Sequence, residues 1–174
     1  MTRLRRVGIV LTGSLLIAAA IPGTAMAAGS LDVGLVGTFS GPGGTSGPTG
    51  GVLRISGFAD DAGPAAVGAA TVSLCIPGVD PKNCLATITV DVRVPIDVIR
   101  ATCSSVELDL LGFSIVSPFT LDGFTLVFEP TTVAITPDTD AATRSACALA
   151  RQLDHGARDR SVVRLLNRLL GALA

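Results

Sequence analysis

The chain has no tryptophan, no tyrosine and a single histidine, and only 16% of its 174 residues are charged. Each shortage removes a class of function. Without those aromatics, and with 13 Lys+Arg against 14 Asp+Glu, it lacks the stacking platforms and basic excess of nucleic-acid proteins. One histidine and no C-x-x-C pair leave the common zinc arrangements without ligands. There is no G-x-S-x-G elbow, and no glycine run leading into a Lys-Ser/Thr pair and a helix. Long apolar runs are missing too. The run "VGIVLTGSLLIAAAI" at 7–21 is shorter than the ~20 residues a membrane-spanning helix needs.

That short run does have a reading. It follows a basic "MTRLRR" and precedes "PGTAMA", which together make an export signal with a small-residue cleavage site between Ala27 and Ala28. Arg5 and Arg6 lack the surrounding twin-arginine consensus, so general secretion is the expected route. No cysteine follows the run, which argues against a lipid anchor. Residues 28–174 are one domain's length, enough to bury about two-thirds of their extended surface.

Charge is placed unevenly. Residues 28–140 hold four basic and twelve acidic residues, whereas 141–174 hold six arginines against Asp154 and Asp159. An acidic body thus carries a basic tail.

The body reads as antiparallel β-structure. "TITVDVRVPIDV" at 87–98 puts Ile88, Val90, Val92, Val94, Ile96 and Val98 on one face at period two, with a polar opposite face, as in a half-buried strand. Pro95 cannot donate to a ladder and marks an edge or a bulge. Phe124, Leu126 and Phe128 repeat the pattern, continued by Val133 and Ile135 after Pro130. Val106, Leu108 and Leu110 point inward before a change near Leu111 and Gly112 that suggests a bulge. Earlier strands are expected over 31–39, 52–58 and 69–76, with 40–51 a flexible Gly/Pro-rich hairpin loop. Short strands with Gly/Pro punctuation favour an antiparallel barrel or sandwich. The expected boundaries are a β domain at 28–139 and a docked helical hairpin at 140–174.

In that hairpin Asp140 is the expected N-cap of the first helix and Gly156 its stop. The second helix, from about Asp159 to Leu170, gathers Val162, Val163, Leu165, Leu166, Leu169, Leu170 and Leu173 on one half. Arg160, Arg164, Asn167 and Arg168 gather on the other. Such a helix is either a lid on the sheet or a membrane-surface segment. The width of its apolar half favours the lid.

Four cysteines allow three pairings. The short, turn-rich "CIPGVDPKNC" favours Cys75 with Cys84, which leaves Cys103 and Cys147 to staple the first helix to the sheet. A loop that long is worth about 4 kcal/mol by chain entropy. Other candidates are weak. His155 at a helix end lacks a nucleophile and an orienting carboxylate. Asp60 with Asp61, and Asp138 with Asp140, lack the ligand spacing of a calcium loop. Glu107 and Asp109 share the polar face of a strand, where solvation explains them.

The stretches "CSSVELDLLGFSI", "LVFEPTTVAITP", "CALARQLDHG" and "LLNRLLGAL" resemble a family of small secreted bacterial β-proteins, frequent in actinobacteria and without characterised function. "GTFSG" with "GGVLRISGFA" is similar to that family's opening hairpin. The chain departs from the pattern in its Gly/Pro insertion at 40–51 and in the pair Cys75 and Cys84. The resemblance implies a Cys103–Cys147 bridge and a tail that belongs to the domain. It brings no catalytic residues.

The sequence therefore points to a secreted, disulfide-stabilised β-domain with a non-catalytic binding or structural role in the envelope or medium, without cofactor or metal. The alternatives are a carrier of a small apolar ligand beneath the helical lid, and a membrane-active protein whose tail meets an anionic surface. An enzyme ranks last. N-terminal sequencing of exported protein is expected to begin at Ala28; retention of residues 1–27 would overturn the compartment argument.

Overall fold

Alternating apolar residues and regular Gly/Pro breaks build eight strands and two helices in the computed structural model, which describes residues 29–74, 86–116, 123–156 and 159–173. Cys75, Cys84, Ala27 and Ala28 lie outside the described residues. β1 (Leu31–Ser40), β2 (Ser46–Asp60), β3 (Pro64–Leu74) and β4 (Ala86–Ala101) form an antiparallel meander. β5 (Val106–Leu110), β6 (Phe113–Val116), β7 (Thr125–Phe128) and β8 (Thr131–Ile135) follow, then α1 (Asp140–Asp154) and α2 (Asp159–Gly171).

The hydrogen-bonded row runs β6-β7-β1-β2-β3-β4-β5-β8. Its two ends are halves of one hairpin. β5 passes into β6 through Leu111 and Gly112 alone, and β7 into β8 through Glu129 and Pro130 alone. One register serves both halves, from Val106↔Ile135 to Leu110↔Thr131 and on from Phe113↔Phe128 to Val116↔Thr125. The first half pairs with β4 and the second with β1, so the sheet has to curl into a barrel-like wall. It is not a sandwich of two layers.

Several local expectations change. The feature at Leu111 and Gly112 is a bend, not a bulge: inward positions shift from Leu110 to Phe113 while the pairing register is unbroken. Gly112 is needed there, because a Cβ would lie 2.8 Å from the Phe128 carbonyl oxygen. The bulge falls instead between Ile96 and Val98, just past Pro95. It turns Ile99 inward opposite the buried Leu108 and sets Val98 beside Asp109, off the face expected for it. The loop expected at 40–51 is confined to residues 41–45. Gly43 and Gly44 adopt φ of 70° and 80° there, the left-handed region glycine tolerates. This lets Ser46 pair with Ser40 and carries residues 46–51 into β2.

The core fills the curl. Phe39, Phe58, Phe128, Leu53, Ile55, Leu74, Leu108, Leu110 and Leu126 are fully buried. The helices close the end where β2, β4 and β8 finish. α2 buries Val162, Val163, Leu166, Leu169 and Leu170, with Leu165 and Leu173 packed at the margin. α1 contributes Ala142, Ala146 and Leu149. Thr139, not Asp140, caps α1, because its extended backbone aims its Oγ1 at the Ala142 N–H, 3.1 Å away. That hydroxyl also donates to the Ala172 carbonyl at 3.1 Å, tying the start of α1 to the end of α2. Gly156, at φ 65°, ends the first helix.

Asn167 behaves differently from its polar neighbours. Its Oδ1 accepts from the Phe58 N–H and its Nδ2 donates to the Phe58 carbonyl, both at 2.9 Å. The side chain thus continues the sheet where β2 meets the lid. Arg164 and Arg168 stay exposed.

Thermal and denaturant melts should separate these roles. Leu166→Ala or Leu169→Ala is expected to cost ~2–5 kcal/mol, as buried leucines do. Asn167→Ala should cost ~1–3 kcal/mol by stranding two part-buried backbone groups. Arg164→Ala and Arg168→Ala should stay within about 0.5 kcal/mol. Unchanged melting of both leucine variants would end the lid assignment.

Candidate functional site

The wall is not sealed where its two ends meet. β4 pairs with β3 along residues 86–95 but meets β5 only from Ile96 onward, and among the described residues β6 pairs only with β7. Between them lies an open cleft of about 300 Å³ lined by Val90, Asp91, Val92, Arg93, Phe113, Ser114, Ile115 and Val116. Val90, Val92 and Phe113 are half-buried and pack against the core, and Ile115 is buried. Asp91, Arg93, Ser114 and Val116 form the exposed rim, with Val116 at 69% exposure. Arg93 reaches back to Asp61 in an ion pair.

The sequence expectations did not single out this cleft. Pro95 was its nearest signal: it sits where β4 stops being an edge, two residues before the bulged position. The opening depends on β6 being drawn away by β7, a pairing that no local pattern in 87–98 encodes.

Four candidate carboxylates, Asp60, Asp61, Glu107 and Asp109, lie beside arginines. Arg100 lies 2.9 Å from Asp109 and 3.8 Å from Glu107, and Asp109 accepts a 2.8 Å hydrogen bond from Thr132. Asp61 pairs with Arg93, and Asp60 lies 3.6 Å from Arg160 on the lid. Asp138 is exposed and Asp140 sits in the first turn of α1. His155 is exposed at the C-cap of α1, its backbone N–H bonded to the Arg151 carbonyl. Among the described residues no three of His, Cys, Asp and Glu gather as metal ligands.

Asp32 is held below the ordinary carboxylate range by two hydrogen bonds from Arg54, at 2.8 and 2.9 Å, and by that guanidinium's charge. A lowered carboxyl at the surface is the opposite of a general acid poised near neutrality.

The structure does bring Cys103 and Cys147 together as a disulfide, 2.03 Å between sulfurs. Cys103 stands in the β4–β5 turn, closed by the Thr102 N–H donating to the Ser105 carbonyl at 2.8 Å. Cys147 lies mid-way along α1, so the bridge pins the lid to the sheet. Among the described residues, no helix is long and apolar enough to cross a membrane. No family model, curated protein or solved structure matches the chain.

The Asp32–Arg54 pair gives a pH test. Its contribution is present above the ordinary carboxylate pKa of ~3.9 and is lost as pH falls through the lowered value. A carbon-detected NMR titration should find the Asp32 midpoint below ~3.9, returning toward it in Arg54→Gln. An ordinary midpoint in the native protein would contradict the pairing.

Proposed function

We propose that this chain is an exported, disulfide-stabilised β-domain that works by binding, without catalysis or cofactor, in the cell envelope or the medium. The observation that carries the reading is the cleft between β4 and β6. Its walls are two strand edges without a ladder partner among the described residues, over a floor of Val90, Val92, Phe113 and Ile115. The carboxylates of Asp32, Asp61 and Asp109 are tied to arginines. A disulfide linking helix to sheet suits an oxidising compartment, in keeping with the export signal read from residues 1–27. The resemblance to small secreted bacterial β-proteins agrees with it.

A carrier of small apolar ligands needs interior room, yet the centre of the curl is occupied by Phe39, Phe58, Phe128 and the leucines around them. A membrane-active tail needs α2 to leave the sheet and expose five buried side chains. Neither alternative has an observation of comparable weight.

Native mass spectrometry of protein exported by a host carrying the full chain tests the proposal. The expected species starts at Ala28, carries the Cys75–Cys84 and Cys103–Cys147 bridges, and holds no lipid. A chain retained in the cytoplasm with free thiols would overturn it. A stoichiometric apolar ligand would select the carrier.

A further inference from the structure

We propose that the cleft between β4 and β6 accepts an extended peptide strand of a partner protein, one that turns apolar side chains inward and a basic side chain outward. The inference rests on the binding role above and names the class of partner.

The argument starts from register. The β4–β5 ladder reaches Ile96↔Leu110 and ends with the Leu111 N–H donating to the Pro95 carbonyl at 2.9 Å. Continued beyond that bond, the same register sets Arg93 opposite Phe113 and Val90 opposite Val116. Those residues, with the ones between them, are the eight that line the cleft. Two antiparallel edges therefore face each other across the cleft without joining, and the shift at Leu111 and Gly112 puts them out of phase: Val90 and Val92 turn inward on one, Phe113 and Ile115 on the other. Pro95 has no N–H to carry the ladder on, and β6 is held away by β7, which pairs in turn with β1.

Such a pair of edges fits one kind of occupant. Each edge presents backbone N–H and C=O groups of alternate residues, a template for another strand. A strand between them bonds on both sides, parallel to one wall and antiparallel to the other, as in peptide recognition by strand addition. The four facing residues on each side span ~13 Å, the length of four extended residues. A volume of about 300 Å³ is at the small end of ligand pockets.

The side chains set the sequence preference. Positions turned inward meet Val90, Val92, Phe113 and Ile115. At the rim, Arg93 is neutralised by Asp61, whereas Asp91 has no side-chain partner among the described residues. The exposed carboxylate and the acidic body favour lysine or arginine in the outward position.

The test uses the mature chain, isotope-labelled, and the peptide acetyl-Thr-Val-Lys-Val-Lys-Val-Thr-amide. The expected result is shift changes and slowed amide exchange at 90–93 and 113–116. Methylating alternate backbone nitrogens of the peptide should abolish binding. Asp91→Asn in the protein, or glutamate for lysine in the peptide, should weaken it by about two- to five-fold, the range of an exposed ion pair. Absence of shifts at millimolar peptide, equal binding of the methylated peptide, or shifts confined to other strands would each overturn the proposal. So would a peptide-free dimer that protects the same amides, which would assign the edges to a second copy. All four outcomes leave the export and ligand-mass tests of the wider reading to stand or fall separately.

Discussion

One hairpin, residues 106–116 against 125–135, pairs with both ends of a four-strand meander at once. This requirement shapes the rest of the molecule. A strand pair has fixed spacing and a fixed hand of twist, so joining β4 to β1 through it forces the meander to curl. Curling gives the sheet an inside, and the inside has to be filled. That is why inward positions carry phenylalanine and leucine while outward ones carry threonine, serine, glycine and charge. The same demand explains the imperfect seam. Each strand of the hairpin pairs with the meander along only half its length, so each half leaves an edge open.

A curled sheet also has ends, and one of them meets the helices. The lid does more there than cover leucines. Asn167 supplies Phe58 with the donor and acceptor a neighbouring strand would have offered, so the end of β2 is satisfied by a side chain. Thr139 joins the two helices to each other, and Cys147 joins them to the β4–β5 turn. Apolar burial, hydrogen bonding and a covalent bond act on the same small assembly. Arg164 and Arg168 form the solvent face of α2, and Arg160 lies beside Asp60.

How far the sequence could be read depends on the range of the interaction involved. Period two at 88–96 and in the strands bearing Leu108, Leu126 and Val133 was legible because one buried face writes itself into alternate residues. The two helices were legible because Val162, Leu166 and Leu169 recur at helical spacing and Gly156 ends the first. Features decided by one or two residues were less so. Thr139 and Asp140 are both good caps, and only backbone geometry chooses between them. The helical wheel gave the angle of Asn167 but not the strand end it meets. Val98 and Ile99 exchange faces at a bulge that apolar spacing cannot reveal, since either could point inward. The cleft was illegible for a different reason. Its walls belong to strands brought together by partners elsewhere in the chain, and Pro95 marks its apex without saying that anything opens beside it.

The bond between Asn167 and Phe58 spans 109 positions of the chain, and this has a consequence for biogenesis. Every polypeptide emerges from the ribosome N-terminus first, so β2 is made long before the residue that completes its end. Until the last turns of α2 appear, the inner face of the curl has no cover over Phe58 and the nearby strand ends. Contacts of such long range form slowly, and an exposed sheet interior invites aggregation meanwhile. Phe58 and the strand ends beside it stay without their helical cover until α2 has been made. Closure of the curl at Phe58 is thus a late event in the order of synthesis, set by the distance along the chain between β2 and α2.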